Sequence, residues 1–271
     1  MSSIKSTMIK GTSIVISMGL IWYLTRTLEA LGGNSRIVSG WGLGIIICVL
    51  GLFYARRRIS VIPVLPVRIW KTLHEYLGWF VLTLFLLHLN ARWPNGVIEI
   101  SLTTLFLFVA VSGIIGQLLN YWVPMRLNEL DEEFIYERIP VLIQNIRENM
   151  ETSVRMAAEA NQNSRLVEFY FDKLANLISR RTNIADGLFR RSRSWKTVEK
   201  DLLNLKTRLP GVEKDLAQEI CTLLRKRREL ELSYAYQWLA KSWLLIHVPL
   251  SFTMIVLLIL HVLTIHAFRG F

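Results

Sequence analysis

Apolar residues come in long runs along this chain, and five of them are long enough to be read as membrane helices. The first covers about 12–30, where Arg26 interrupts the run and must snorkel outward. A signal peptide is the rival reading there, although no clean small-x-small cleavage site follows. The second run is about 39–55, stopped by Arg56, Arg57 and Arg58. The third is about 72–90 and the fourth about 100–122, the latter apolar except for Ser, Thr and Gln117, with Gly113 and Gly116 inside it. The fifth is about 242–267.

Between the fourth and fifth runs the pattern changes. Residues 124–233 are rich in Glu, Lys, Arg, Leu and Ala, with apolar positions at helical spacing. One helix is expected from about 128 to 160, bent at Pro140, with Leu142, Ile146, Met150, Val154 and Ala158 as its apolar stripe. A second covers 164–180, with Leu166, Phe169, Tyr170, Lys173, Leu174 and Leu177 along it. Arg190–Ser194 reads as a basic turn, followed by a short helix at about 195–207. Pro210 then opens a helix from about 212 to 232 that can run on into the fifth span. The fold class is therefore all-α: an integral membrane helical bundle of about five spans carrying a long helical insertion. Its expected divisions are 1–123 for spans one to four, 124–233 for a hairpin-like insertion and 234–271 for span five.

The net charge of +11 changes the picture only when it is split by region. Residues 126–232 hold 20 basic and 18 acidic side chains, a net of +2, and the remainder carries +9. The excess flanks the spans, which fits anionic headgroups rather than nucleic acid. The positive-inside rule then sets the orientation. With Lys5, Lys10, Arg56, Arg57, Arg58, Arg68, Lys71 and Lys241 inside, only Arg26, Arg36, Arg92 and Arg269 fall outside. The N-terminus and the insertion are then cytoplasmic and the C-terminus lies outside, with the bacterial inner membrane as the expected location. Trp70, Trp93, Trp122 and Trp243 sit near span ends, as amphipathic rings do.

Candidate chemistry comes from histidine. His74 and His88 lie on the third span, His247 and His261 on the fifth, and each pair is fourteen residues apart. At about 100° per residue the two members differ by only about 40° in phase, and they are roughly 21 Å apart along the axis. Each pair therefore shares one helix face, and the charge-derived topology puts His74 and His247 near the inner surface and His88 and His261 near the outer. Facing spans of this kind can hold two stacked haem b groups by bis-histidine ligation, His74 with His247 and His88 with His261. An imidazole on an apolar helix is more often a hydrogen-bonded core residue, but one repeated spacing on two spans points to function. His266 shares no face with His247 or His261 and reads as interfacial.

Neighbours four residues from a ligand lie over the same face. These are Gly78 beside His74 and Ser251 beside His247, both small enough to let a macrocycle approach, and Leu84 and Leu257 in the outer pocket. Small residues at those positions equally suit helix packing. Pro249 removes one backbone hydrogen bond and can bend the fifth span beside His247. Candidate cations for haem propionates are Arg57, Arg68, Lys71 and Lys241 inside, and Arg92 and Arg269 outside; as span-end residues they also serve as topology signals. Glu75 reads as a headgroup-facing residue, with acceptance of a quinol proton as the sharper alternative. Arg225–Arg228 reads as a solvated or headgroup-facing patch. The two cysteines, Cys48 and Cys221, are isolated, and neither a CxxCH sequence nor a nucleotide-binding loop is present.

The segments HEYLGWFVLTLFLLH and HVPLSFTMIVLLILH resemble the membrane domain of ferric reductases and NADPH oxidases. The resemblance implies electron transfer from an inner to an outer haem, with His74, His247, His88 and His261 as ligands. It is expected here without the family's sixth span leading to a flavin–nicotinamide domain, and with an insertion before span five that the family pattern lacks. The expected function is a di-haem cytochrome b subunit relaying electrons between a cytoplasmic redox partner or a quinone and an acceptor, in contact with membrane lipid and with no nucleic acid. A histidine-lined proton or metal-ion transporter, and a haem-free scaffold recruiting partners through the insertion, are the readings it competes with.

Overall fold

The structure, a computed structural model, describes residues 19, 22, 23 and 27 and the stretches 35–55, 66–89, 93–130, 132–179 and 191–268. Apart from four residues, the first expected span lies outside these, as do Arg56, Arg57, Arg58, Arg92 and Arg269. Among the described residues every regular element is a helix. The chain divides into two units, one of residues up to Leu118 together with Trp243 onward, the other Leu119–Ser242.

The first unit is built from apolar helices. α1 is Ser35–Ala55, α2 is Val67–Leu89 and α3 is Val97–Leu127. The last helix, α8, is Gly211–Phe268 and contributes its final part here. Three of them, α2, α3 and α8, are long and apolar enough to cross a membrane, with mean hydropathies of 1.2, 2.1 and 2.4; α1 has a shorter apolar stretch, Ile37–Phe53. Their outward faces carry exposed Leu86, Phe108, Leu118, Leu245 and Val256, as hydrocarbon-facing surfaces do. Pro249 lies inside α8 and the helix continues through it. Neighbouring helices make up the lost hydrogen bond in such spans, so a proline there need not end the helix.

Apolar helices gain little from hiding leucine from lipid, so close packing must hold them together. Leu43 and Ile47 of α1, Val81, Leu84 and Phe85 of α2, Phe106 of α3, and Met254 and Leu258 of α8 form one buried cluster. Phe85 and Phe106 stack with centroids 4.0 Å apart. Gly51 lets α8 approach α1 closely: a Cβ there would fall 2.6 Å from Cδ1 of Ile255.

The second unit has a buried apolar core of its own. α4 is Ile139–Ala160, preceded by a 3₁₀ turn at Tyr136–Arg138. Pro140 stands in the first turn of α4, so it opens that helix and does not bend a longer one from 128. α5 (Arg165–Phe169) runs through a π turn (Tyr170–Leu174) into α6 (Ala175–Ser179), with Ser164 Oγ accepting from Val167 N as the cap. The buried residues on this segment are Leu166, Tyr170, Leu174 and Ile178. A spacing of four drifts by about 40° per step in an α-helix; the wider π turn takes up that drift and keeps all four inward. α7 is Arg191–Lys206, so the expected basic turn is helical from Arg191. α8 starts at Gly211, whose φ of 44° suits glycine, and its first half completes the unit.

These helices bury Ile139, Met150, Leu166, Leu174, Leu202, Ile220, Leu224 and Leu230 around one centre. The helices of 124–233 thus share one interior of their own. On α4 the stripe buries Ile146, Met150 and Val154 as expected, but Ala157 takes the inward position and Ala158 is exposed.

The run Arg225–Arg228 is not a free patch. Arg225 Nε reaches Glu199 Oε1, Lys226 Nζ reaches a carboxylate oxygen of Glu132 at 3.2 Å, and Arg228 is 3.9 Å from Glu199. Arg227 is only 2% exposed and pairs with Glu231 one turn on, at 3.3 Å. Helical phase puts every fourth residue on one face, and here that face is the core. The buried pair is further satisfied: Arg227 Nη2 donates to Ile178 O at 2.8 Å and Trp195 Nε1 donates to Glu231 at 3.1 Å.

Candidate functional site

The four paired histidines lie in the first unit, on α2 and α8. Between His74 and His88 the buried residues of α2 are Val81, Leu84 and Phe85; between His247 and His261 those of α8 are Met254 and Leu258. These fall at steps of three and four from the histidines, so the histidine face of each helix meets the core at Val81–Phe85 and at Met254–Leu258, while Gly78 on the same face of α2 is exposed. His74 and His247 lie within electrostatic reach of each other. His261 lies within reach of the Glu99 carboxylate in the first turn of α3.

Two of the imidazoles are gripped from neighbouring helices. Nδ1 of His88 is 3.0 Å from Oγ of Ser39 on α1, and Nδ1 of His247 is 3.1 Å from Oγ of Ser112 on α3. In both places the next residue is glycine and sits against the same ring. A Cβ on Gly40 would lie 3.1 Å from Cε1 of His88, and one on Gly113 would lie 3.8 Å from Cε1 of His247. His74 packs against Phe53, with centroids 5.0 Å apart, and its buried Nδ1 has no hydrogen-bond partner among the described residues.

Trp243 is part of this arrangement and not simply a boundary residue. Its indole lies against the His247 ring, centroids 5.0 Å apart, and its Nε1 donates to Ser112 O at 2.8 Å. The space it occupies exists because residue 116 is glycine: a Cβ there would fall 1.9 Å from Cζ2 of Trp243. Expectation from sequence missed Ser39, Gly40, Ser112 and Trp243. Glycines 113 and 116, three apart on an otherwise apolar span, were the available signal.

The remaining candidates are placed as follows. Gly78 is exposed, and a Cβ there meets nothing within 4 Å, so the α2 surface one turn from His74 is open. Ser251 Oγ donates back to His247 O at 2.8 Å within its own helix, as serine does on helical spans. Leu84 packs toward α1, where its Cδ2 would be 3.3 Å from a Cβ on Gly42. Arg68 and Lys71 are exposed in the first turns of α2. Lys241 belongs to the other unit, where Nζ is 2.6 Å from Glu137 and 3.9 Å from the Tyr136 ring centroid, so it is already committed. His266 is exposed, with Nδ1 2.9 Å from Val262 O and its ring edge-on to Trp41.

Among the described residues no three His, Cys, Asp or Glu side chains converge as a bare metal ion would need. A haem iron asks for only two protein ligands, since the porphyrin supplies the others. The donor set fits that demand in kind: serine oxygens stand beside Nδ1 of His88 and of His247, and the histidine faces are lined by apolar side chains. Compared with protein-family models, with curated proteins and with solved structures, the chain matches none.

Proposed function

We propose that this chain is a membrane cytochrome b subunit that holds two haem b groups and relays electrons across a bilayer. The observation that carries this reading is the coincidence of the histidine faces with the buried faces of α2 and α8. A bis-imidazole haem iron is coordinatively saturated and supplies one-electron transfer without a site for substrate. In this reading His74 and His247 hold the inner group and His88 and His261 the outer. Val81, Leu84, Phe85, Met254 and Leu258 keep water out between the two levels. Ser39 and Ser112 hold imidazole orientation through Nδ1. Arg68 and Lys71 are the described cations available to inner propionates.

The topology that goes with it has about five spans, with the N-terminus and the helical insertion on the cytoplasmic side of a bacterial inner membrane. The chain holds no motif for a flavin, nicotinamide or iron–sulfur centre, so a partner protein at the cytoplasmic face or a quinol is the donor. Its likeness in the two histidine segments is to the membrane domain of ferric reductases and NADPH oxidases.

Protein purified from haem-replete cells and reduced with dithionite is expected to give a b-type spectrum and about two extractable haems per chain. His88→Ala and His261→Ala should each remove the same one of them, and His74→Ala and His247→Ala the other. Colourless wild-type protein, or four single variants that all keep both haems, would sink this reading.

A further inference from the structure

Ser39 with Gly40 and Ser112 with Gly113 are the same dipeptide on two different helices, meeting two different histidines in the same way. Each serine hydroxyl takes Nδ1, at 3.0 Å and 3.1 Å, and each glycine lies under Cε1 of the ring its serine holds. The two seats serve opposite members of the histidine pairs: the later one on α2 and the earlier one on α8. Under the ligand pairing above, each haem has one ligand held by a serine. The inner partner, His74, keeps a buried Nδ1 with no hydrogen bond among the described residues.

We infer that Ser39 and Ser112 are positioning residues, one for each haem, which fix their histidine as the Nδ1–H tautomer and set its donor strength toward iron through Nε2. This rests on the di-haem reading and adds to it a residue-level control of each centre's potential. An imidazole whose Nδ1–H is given to an acceptor is a stronger base at Nε2. A stronger base favours ferric iron over ferrous, and so lowers the reduction potential of that centre alone. Glycine gives room beside the ring on the tighter side: a methyl group at Gly40 would need His88 to give by a few tenths of an ångström.

The test is a spectroscopic redox titration of the membrane-extracted holoprotein. Ser39→Ala should move one of the two midpoint potentials to a more positive value and leave the other in place. Ser112→Ala should move the other one. Ser39→Thr and Ser112→Thr, which keep the hydroxyl, should return both to the wild-type values. Two haems with potentials unmoved in both alanine variants would overturn the inference while leaving the di-haem reading intact, as would both variants shifting the same haem. If alanine costs a haem outright, the threonine variants decide: retention at wild-type potential supports the hydroxyl's role, and equal loss overturns it. Wild-type protein without haem would instead remove the reading on which this rests.

Discussion

The indole of Trp243 lies against the imidazole of His247, planes 23° from parallel, and both rings reach the same residue of α3, Ser112. One side chain is held by the Ser112 carbonyl and the other by its hydroxyl. A single backbone position thus sets the place of both rings.

Gly116 is the floor of that arrangement, so Gly116→Ala is expected to overpack it. Overpacking costs about 1–3 kcal/mol. In a Trp243→Ala background the added methyl has room, and most of the cost should vanish. Thermal denaturation in detergent of the two single variants and the double one measures the coupling. An equal cost of Gly116→Ala with and without the indole would show that the contact does not limit the packing.

The buried pair of Arg227 and Glu231 makes a second prediction, independent of any cofactor. Glu231→Leu leaves a guanidinium only 3% exposed without its carboxylate. Breaking one side of such a pair costs about 3–5 kcal/mol. Replacing both, as Arg227→Met with Glu231→Leu, should recover most of the loss, because the desolvation cost goes with the charges. Chemical denaturation followed by far-UV circular dichroism reports it. A double variant as unstable as the single would argue that the pair is more than a compensated charge.

Tyr136 stacks on Tyr234 with planes 4° apart, and burial together with a hydrogen bond to Tyr234 pushes its phenol up from 10.0 to about 12. The raised value means that folding favours the neutral phenol. The associated stability is complete below the unfolded value near 10.0 and is lost as pH rises through about 12. Absorbance titration of tyrosinate should show a late-ionising phenol that Tyr234→Phe brings back toward the ordinary range. A titration indifferent to Tyr234 would count against the contact.

Cys221 is 1% exposed, and burial raises its thiol above the usual value. In a Cys48→Ser background the native protein should react with a thiol reagent only as fast as the insertion opens. Labelling is expected to be slow in buffer and complete in denaturant. Rapid labelling without denaturant would show that the core around Ile220 and Leu224 is not closed.

Much of the local structure was legible in the sequence. The runs around 39–55, 72–90, 100–122 and 242–267 correspond to helices because an apolar segment cannot leave backbone polar groups unpaired, and a helix pairs them internally. The shared face of each histidine pair followed from the helical period alone, and Val81, Phe85, Met254 and Leu258 fall on that face. Pro140 was misjudged because proline bends a helix interior but suits a first turn, and periodicity locates helix ends poorly.

What the sequence determined by itself was phase: which residues share a side of one helix, in the spans and along Ile146, Met150 and Val154. What only the tertiary structure decided was partnership. Ser39 meets His88 across 49 positions and Ser112 meets His247 across 135, while Arg227 turns inward to Glu231 although its neighbours Arg225 and Arg228 reach Glu199 at the surface. A helix's rotation is written in its own residues. The helix it faces is chosen by close packing between segments far apart in the chain, and no local pattern carries that choice.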